Sequence, residues 1–218
     1  MKIAVLGGTG HIGVGIALRF AILGHEVIVG SRSPEKAEAK AKEYLDILKE
    51  RGIDGKITGM KNEDAAKEAE ISILAIPHEH AYSTAEGLKD FLRGKIVVSP
   101  IVPMERRGKL LLYNPPQEGS AAERLETILT ESRVVSAFQT VPANRFANLD
   151  AKFEWDVPVC SNDEDAKKTV MDLINQIEGL RAIDAGPLAV SRLVESITPL
   201  LINVMIRNDI KDIGVKFL

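Results

Sequence analysis

An α/β fold, a doubly wound and mainly parallel sheet with a small C-terminal extension or lobe, is predicted by three features of the chain. Short apolar runs at 3–6, 27–29, 71–76, 96–98 and 134–137 read as buried strands. Amphipathic stretches lie between most of them, and such alternation of strand and helix builds parallel sheets covered by helices. A glycine-rich turn joins the first strand to the first helical pattern, at 14–23.

That turn reads Gly7-Gly8-Thr9-Gly10-His11-Ile12-Gly13 and contains the spacing Gly8-x-Gly10-x-x-Gly13. Glycine lets the chain turn tightly, lets the backbone approach a pyrophosphate and lets the helix pack on the strand, while the helix N-terminus offers free N–H groups to the anion. A glycine-rich turn alone is weak evidence. Between a strand and a helix, with a second strand at the right distance, it predicts a Rossmann-type dinucleotide site.

The second strand ends Val29-Gly30-Ser31-Arg32, with no Asp or Glu to hold the ribose 2′-hydroxyl of NAD. The Ser31 hydroxyl, the Arg32 guanidinium and Lys36 one turn into the next helix suit a 2′-phosphate, so NADP is the expected cofactor. The alternative is that Arg32 and Lys36 are solvated surface cations; their position, where the cofactor must be discriminated, favours the phosphate reading. The helix at 33–50 takes Ser33 as its N-cap, Pro34 in its first turn and Glu38 with Lys42 as an i,i+4 pair.

The strand at 71–76 ends Leu74-Ala75-Ile76-Pro77 and runs into His78-Glu79-His80, at the carboxyl end of the sheet where nicotinamide lies in such folds. His78 and His80 lack the companion ligands of a metal site, so no metal is expected. His80 reads either as a cofactor contact or as a helix-start hydrogen bond. After Pro142 a polar stretch at 144–156 precedes a strand at 157–160, a helix opened by Asp163 to Asp165, a strand at 181–184 and an apolar helix at 188–206. The acidic cluster reads as helix capping.

Residues 1–150 are assigned to the NADP-binding domain and 151–218 to the C-terminal extension, which either continues the main sheet or forms a separate lobe. Its last helix is apolar around much of its circumference, with Asn203 among the apolar residues. It is expected to close the active site or to form a homodimer contact.

Composition narrows the partners. The 218 residues carry 28 basic and 31 acidic side chains, interspersed, for a formal charge of −3. No broad positive field is available, so neither nucleic acid nor an anionic membrane is expected as a partner. No apolar run of roughly 18 residues suggests a membrane span, and the start MKIAVLGGTG reads as a strand rather than a signal peptide. The single cysteine, Cys160, excludes an intramolecular disulfide, fits a reducing cytoplasm and reads as a core residue.

Taken in order, GGTGHIG, VGSR with Lys36, AIPHEHA, KIVVSPIVP, TVPANRFANL, DAGPL and SRLVE resemble the deazaflavin-dependent NADP oxidoreductases, which pass a hydride between reduced coenzyme F420 and NADP. The resemblance covers nearly the whole chain, including the ending GVKFL; its first two motifs are shared by many NADP proteins, so its specificity rests on the later ones. It implies that Thr9, Gly10, His11, Ile12, Ser31, Arg32 and Lys36 contact NADP and that Ile76, His80, Val102 and Ala143 line the nicotinamide end. It further implies that coenzyme F420, as co-substrate, stacks near Val141, Pro142 and Ala143 under the C-terminal segment, with Ile213 a contact. Members often carry His in the place of Gln139 and Trp in the place of His78, so this chain departs from the pattern beside the reaction site.

Hydride transfer between two stacked rings needs donor and acceptor carbons about 3 to 3.5 Å apart and relies on shape and orientation. No side-chain nucleophile is required, and none is evident. Backbone N–H groups in the 140–143 loop are candidates for stabilising the deazaflavin anion, and Arg145, Arg192 and Arg207 for its acidic tail, although Arg192 also suits a pair with a neighbouring carboxylate. Rival readings are an NADPH-dependent reductase of a small imine or carbonyl, a noncatalytic NADP sensor, and a relative of the reductase domains that precede a membrane haem domain. Sheets of this kind host many chemistries, so the second ligand decides among them.

Overall fold

Four consecutive apolar residues, Ile3 to Leu6, have no measurable exposure and form the centre of strand β1 (Lys2–Leu6). They alternate between two cores. Ile3 and Val5 pack with Ile16 and Phe20 of helix α1 (His11–Ile22) and with Tyr44 and Leu48 of α2 (Pro34–Glu50). Ala4 and Leu6 pack on the other face with α3 (Asn62–Glu68) and α4 (His78–Leu92). A strand buried on both faces has no polar side to show, which explains the unbroken apolar run; each fully buried Leu or Ile side chain contributes about 1.5–3 kcal/mol.

The computed structural model describes residues 1–218, the side chain of His11 excepted. Beside β1 lie β2 (Glu26–Ser31), β3 (Lys56–Lys61), β4 (Ile71–Leu74) and β5 (Ile96–Ser99). A separate hairpin, β6 (Met104–Arg107) and β7 (Leu110–Tyr113), is followed by α5 (Ala121–Ile128) and β8 (Arg133–Ser136). The remainder is α6 (Ala143–Ala147), β9 (Trp155–Ser161), α7 (Glu164–Ile174), β10 (Leu180–Gly186), a 3-10 turn Leu188–Val190 and α8 (Ser191–Asn208).

The main sheet has eight strands in the order β10-β9-β8-β5-β4-β1-β2-β3. All neighbours are parallel except β8 and β9. The chain winds outward from β1 in one direction through β2 and β3, then returns to its other side with β4. That reversal opens a crevice at the carboxyl ends of β1 and β4, where open α/β sheets bind their ligands. Strands β9 and β10 continue the same sheet, so of the two arrangements left open for the C-terminal residues the hydrogen bonding is that of a sheet extension.

Local signals account for most boundaries. Ser33 caps α2 by accepting from the Lys36 N–H at 3.2 Å, and Asp163 caps α7 by accepting from Ala166 at 2.7 Å. The ion pair on α2 is Lys40–Glu43 at 2.7 Å in place of the expected Glu38–Lys42. Strand β4 stops at Leu74, two residues short of the expected end, because Ala75 turns back to donate to the Ile73 carbonyl at 3.0 Å. Cys160 is buried in β9, and burial pushes its thiol up to about 11.

Helix α8 corrects one expectation. With the preceding turn, Leu188–Asn208 is long and apolar enough by composition alone to cross a membrane. In the fold it packs on β7 and α5, held by two inward polar residues. Asn203 accepts from the Leu111 N–H at 3.0 Å and donates to the Leu111 carbonyl at 2.6 Å, so its amide pairs with β7 as a neighbouring strand would. Glu195, with no exposure, accepts from the Ala121 and Ala122 N–H groups at 2.9 and 3.2 Å and from the Tyr113 hydroxyl at 2.9 Å. Beyond α8 the tail is pinned to β9, where Asp156 donates its N–H to the Val215 carbonyl at 2.7 Å and its carboxylate meets Arg181 at 2.7 Å.

Candidate functional site

The glycine loop is tied down from three sides. Gly8 donates to the Val5 and Gly30 carbonyls at 3.0 and 3.2 Å, and the buried Tyr44 hydroxyl donates to the Gly8 carbonyl at 2.9 Å. Asn62, at the start of α3 and 6 % exposed, accepts from the Gly7 N–H at 3.3 Å. Gly7 itself sits at φ +71°, a conformation open to glycine and costly for other residues.

The glycines divide by function. A Cβ on Gly13 would lie 2.7 Å from the Gly8 Cα, and one on Gly8 would lie 2.6 Å from the Val5 carbonyl oxygen. Gly13 is needed for the helix to pack on the loop, and Gly8 for the loop to turn back over the end of β1. A Cβ on Gly10 would meet nothing nearer than 3.6 Å, so the protein itself does not require glycine there. Gly10 instead lines the cavities on either side of the loop, where a side chain would stand in the path of a ligand.

A first cavity of about 410 Å³ runs from the loop over the tip of β2. Thr9, Gly10, Ser31, Arg32, Lys36, Ile76 and His80 all line it, as do Asn62 and Thr84. Gly8 and Gly13 lie behind the loop and do not line it; the His11 side chain lies outside the described residues. Arg32 and Lys36 are exposed and enter no ion pair among the described residues, so a cationic end faces the rim with no carboxylate to neutralise it. The His80 N–H donates to the Pro77 carbonyl at 3.0 Å, the helix-start bond of α4, while its ring lines the cavity. The helix-start reading of His80 is thus met by its backbone, and the residue also lines the cavity.

A second cavity, of about 710 Å³, continues past Ile76 at the carboxyl end of β4. Ile12, Val102, Val141 and Ala143 line it together with Ile101 and Phe138, giving largely apolar walls. Val141 and Ala143 are shared with a third cavity of about 370 Å³ that adds Pro142 and Ile213, under α8 and the tail. Apart from Gly8, Gly13 and His11, the NADP and ring contacts singled out in the sequence line three adjoining cavities. What the sequence reading missed are Met104, Arg106 and Leu111 of the hairpin, and Thr198 of α8. The hairpin is marked in the sequence by Arg107-Gly108-Lys109 between two short strands, Gly108 taking φ +61° at the turn. Thr198 and Asn62 carry no comparable local sign.

The loop between β8 and α6 is shaped by packing. Phe138 adopts φ +73°, a left-handed conformation that costs roughly 1–3 kcal/mol outside glycine. Its ring holds it there, edge-on to Phe20 at 6.5 Å and beside Phe146 at 6.3 Å. Gln139 follows, donating to the Ser99 carbonyl at 2.8 Å and the Ser136 hydroxyl at 2.7 Å. Its Oε1 is buried without a protein donor, in a residue that lines the cavity. The Val141 N–H is engaged with the Phe138 carbonyl at 3.2 Å, so among the expected anion-stabilising N–H groups that one is already used.

Among the described residues there is no group of three or more His, Cys, Asp or Glu side chains placed to hold a metal. A glycine loop on a helix N-terminus, an uncompensated cationic end and a ring-sized apolar cavity define a dinucleotide-binding oxidoreductase of the NADP type. The family model described as NADP oxidoreductase, coenzyme F420-dependent, matches residues 2–103. The F420-dependent NADP reductase of Methanocaldococcus jannaschii is 49 % identical over 99 % of this chain and 97 % of its own. That of Methanothermobacter marburgensis is 40 % identical with the same coverage. A crystal structure from Arthrobacter sp. FB24, assigned to the F420-dependent NADP-reductases, superposes with a TM-score of 0.84 at 27 % identity, covering 100 % of this chain and 99 % of that one. The chain belongs to the family of F420-dependent NADP reductases.

Arg32→Ala is expected to weaken NADP by about 1–3 kcal/mol, the worth of a charge-assisted contact, and to leave NAD nearly unchanged. Calorimetric titration of both cofactors checks it; equal weakening would remove the 2′-phosphate assignment.

Proposed function

We propose that this protein transfers a hydride directly between the nicotinamide of NADP and the ring of coenzyme F420, the two stacked in the second cavity. The observation that carries this reading is the apolar groove itself, which passes the nicotinamide position with room of about 710 Å³ for another flat ring. Thr9, Gly10, Ser31, Arg32 and Lys36 hold the adenosine phosphates; Ile76, Val102 and Ala143 line the nicotinamide; Val141, Pro142 and Ile213 border the deazaflavin. NADP supplies the hydride-carrying ring. The chain's own part is to orient two rings and to exclude water with α8 and the tail.

The reaction belongs to the cytoplasm, in keeping with a lone buried thiol. The same reading gives α8 a second copy of the chain as partner, because Leu193, Leu200 and Ile206 are 64 %, 60 % and 56 % exposed on one helix. Light scattering is expected to report a dimer that Leu200→Glu converts to a monomer; a monomeric wild type rejects it.

The test of activity is spectrophotometric. Protein mixed with NADPH and oxidised F420 is expected to bleach the visible absorbance of the deazaflavin rapidly, with NADH and FMN far slower. Absence of bleaching under conditions where NADPH binds would reject the reading and move the search to imines and carbonyls.

A further inference from the structure

The β6–β7 hairpin is the most cationic short segment near the groove, with Arg106, Arg107 and Lys109 within four positions. Its cross-strand register sorts them by face. Met104 stands opposite Tyr113 and Arg106 opposite Leu111, and in a strand alternate residues share a side. Met104, Arg106 and Leu111 all line the second cavity, so this is the cavity face. Glu105 and Arg107 occupy the other face, where they form an ion pair with each other. Arg106 is therefore left facing the groove without a carboxylate partner among the described residues, and Lys109 stands at the exposed turn beside it.

The arm is also fixed in place. Asn203 bonds both polar groups of Leu111, Asn114 donates to the Pro103 carbonyl at 3.0 Å across the base, and Tyr113 is anchored on Glu195. A cation on a rigid support at the rim of an apolar cavity loses less conformational freedom on binding than one on a free loop. The one carboxylate lining the cavity, Glu79, lies beside His78 at 3.4 Å.

We infer that Arg106 recognises an anionic appendage of the molecule whose ring occupies the second cavity; on the functional reading above, that appendage is the acidic tail of the deazaflavin. This reassigns a role given on sequence to other arginines. Arg192 is paired with Glu123 at 2.6 Å, Arg145 donates to the Lys152 carbonyl at 2.7 Å, and Arg207 lines neither the second nor the third cavity.

The test compares F420 with the tail-less 8-hydroxy-5-deazaflavin riboside, using NADPH as donor and full-length protein. The quantity read is the ratio of kcat/KM for the tailed form to that for the tail-less form. In Arg106→Ala this ratio is expected to fall about tenfold or more, in Arg106→Lys to fall much less, and in the wild type to fall as salt is raised to screen the charge. A ratio unchanged in Arg106→Ala, with both forms still reduced, overturns the inference alone. If the wild type reduces neither form although NADPH binds, the functional reading falls and the inference with it.

Discussion

Gly13→Ala is expected to reduce NADP affinity by a hundredfold or more while leaving the chain folded. The added methyl carbon would lie 2.7 Å from the Gly8 Cα and 2.9 Å from its carbonyl carbon and oxygen, all backbone atoms with no rotamer to yield. The Gly8 position is further held by Val5, Gly30 and the Tyr44 hydroxyl, so helix and loop must part. Overpacking of this kind costs about 1–3 kcal/mol of stability. The larger effect is on binding: a displaced loop withdraws N–H groups from the pyrophosphate, and two charge-assisted hydrogen bonds at about 1.5–3 kcal/mol each amount to two to four orders of magnitude. Gly10→Ala separates the two costs. Its methyl meets no protein atom nearer than 3.6 Å, so Tm should stay while affinity drops. Titration calorimetry and thermal melts on both variants decide; wild-type affinity in Gly13→Ala would refute the packing argument.

Glu195→Ala is expected to lower Tm by roughly 6–12 °C, from a loss of about 3 kcal/mol at about 2–4 °C per kcal/mol for a chain of this size. The substitution leaves two N–H groups at the start of α5 and the Tyr113 hydroxyl without their acceptor, and α8 keeps only the Asn203 bonds to the hairpin. The same residue sets a pH dependence. Burial pushes its carboxyl up to about 7 against the pull of the Ala121 and Ala122 N–H groups and the Tyr113 hydroxyl. A carboxyl with a raised folded pKa binds its proton more tightly in the native state, so its contribution is full below about 4.5 and is lost as pH rises through about 7. Urea unfolding at pH 5 and pH 8 should therefore show a larger decline for the wild type than for Glu195→Gln, which does not titrate. Parallel declines would mean that Glu195 stays ionised across that range.

Where a single segment carried its own signal, the chain could be read without its structure. The run at 3–6 is apolar because both faces of β1 are covered, and Ser33 and Asp163 sit at helix starts because their side chains satisfy N–H groups three residues on. Strand β3 escaped notice because it is the sheet edge: Ile57 is its one deeply buried side chain, and the rest alternates weakly among polar residues. The phosphate end of the groove was legible in the glycine spacing and the tip of β2, each a short local pattern, whereas Val102, Val141, Ala143 and Ile213 were reached only through the family resemblance. Thr198, whose hydroxyl donates to the Gln139 carbonyl at 2.8 Å, and Glu195, whose partners stand more than seventy residues away, depend on contacts that no local pattern encodes. In Ser191-Arg192-Leu193-Val194-Glu195 the eye finds a surface ion pair within the helix; the fold instead sends Arg192 to Glu123 and buries Glu195.

The lone thiol of β9 offers an internal clock for opening of the sheet. Cys160 is fully enclosed and its thiolate is disfavoured, so an alkylating reagent in water can reach it only when β9 parts from β8 or β10. At reagent concentrations where alkylation outpaces reclosing, the rate of its modification counts those openings, with no engineered label and no second cysteine to confuse the signal. A ligand that tightens the groove at the far end of β8 would slow that clock, and a spectator molecule would leave it running at its own pace.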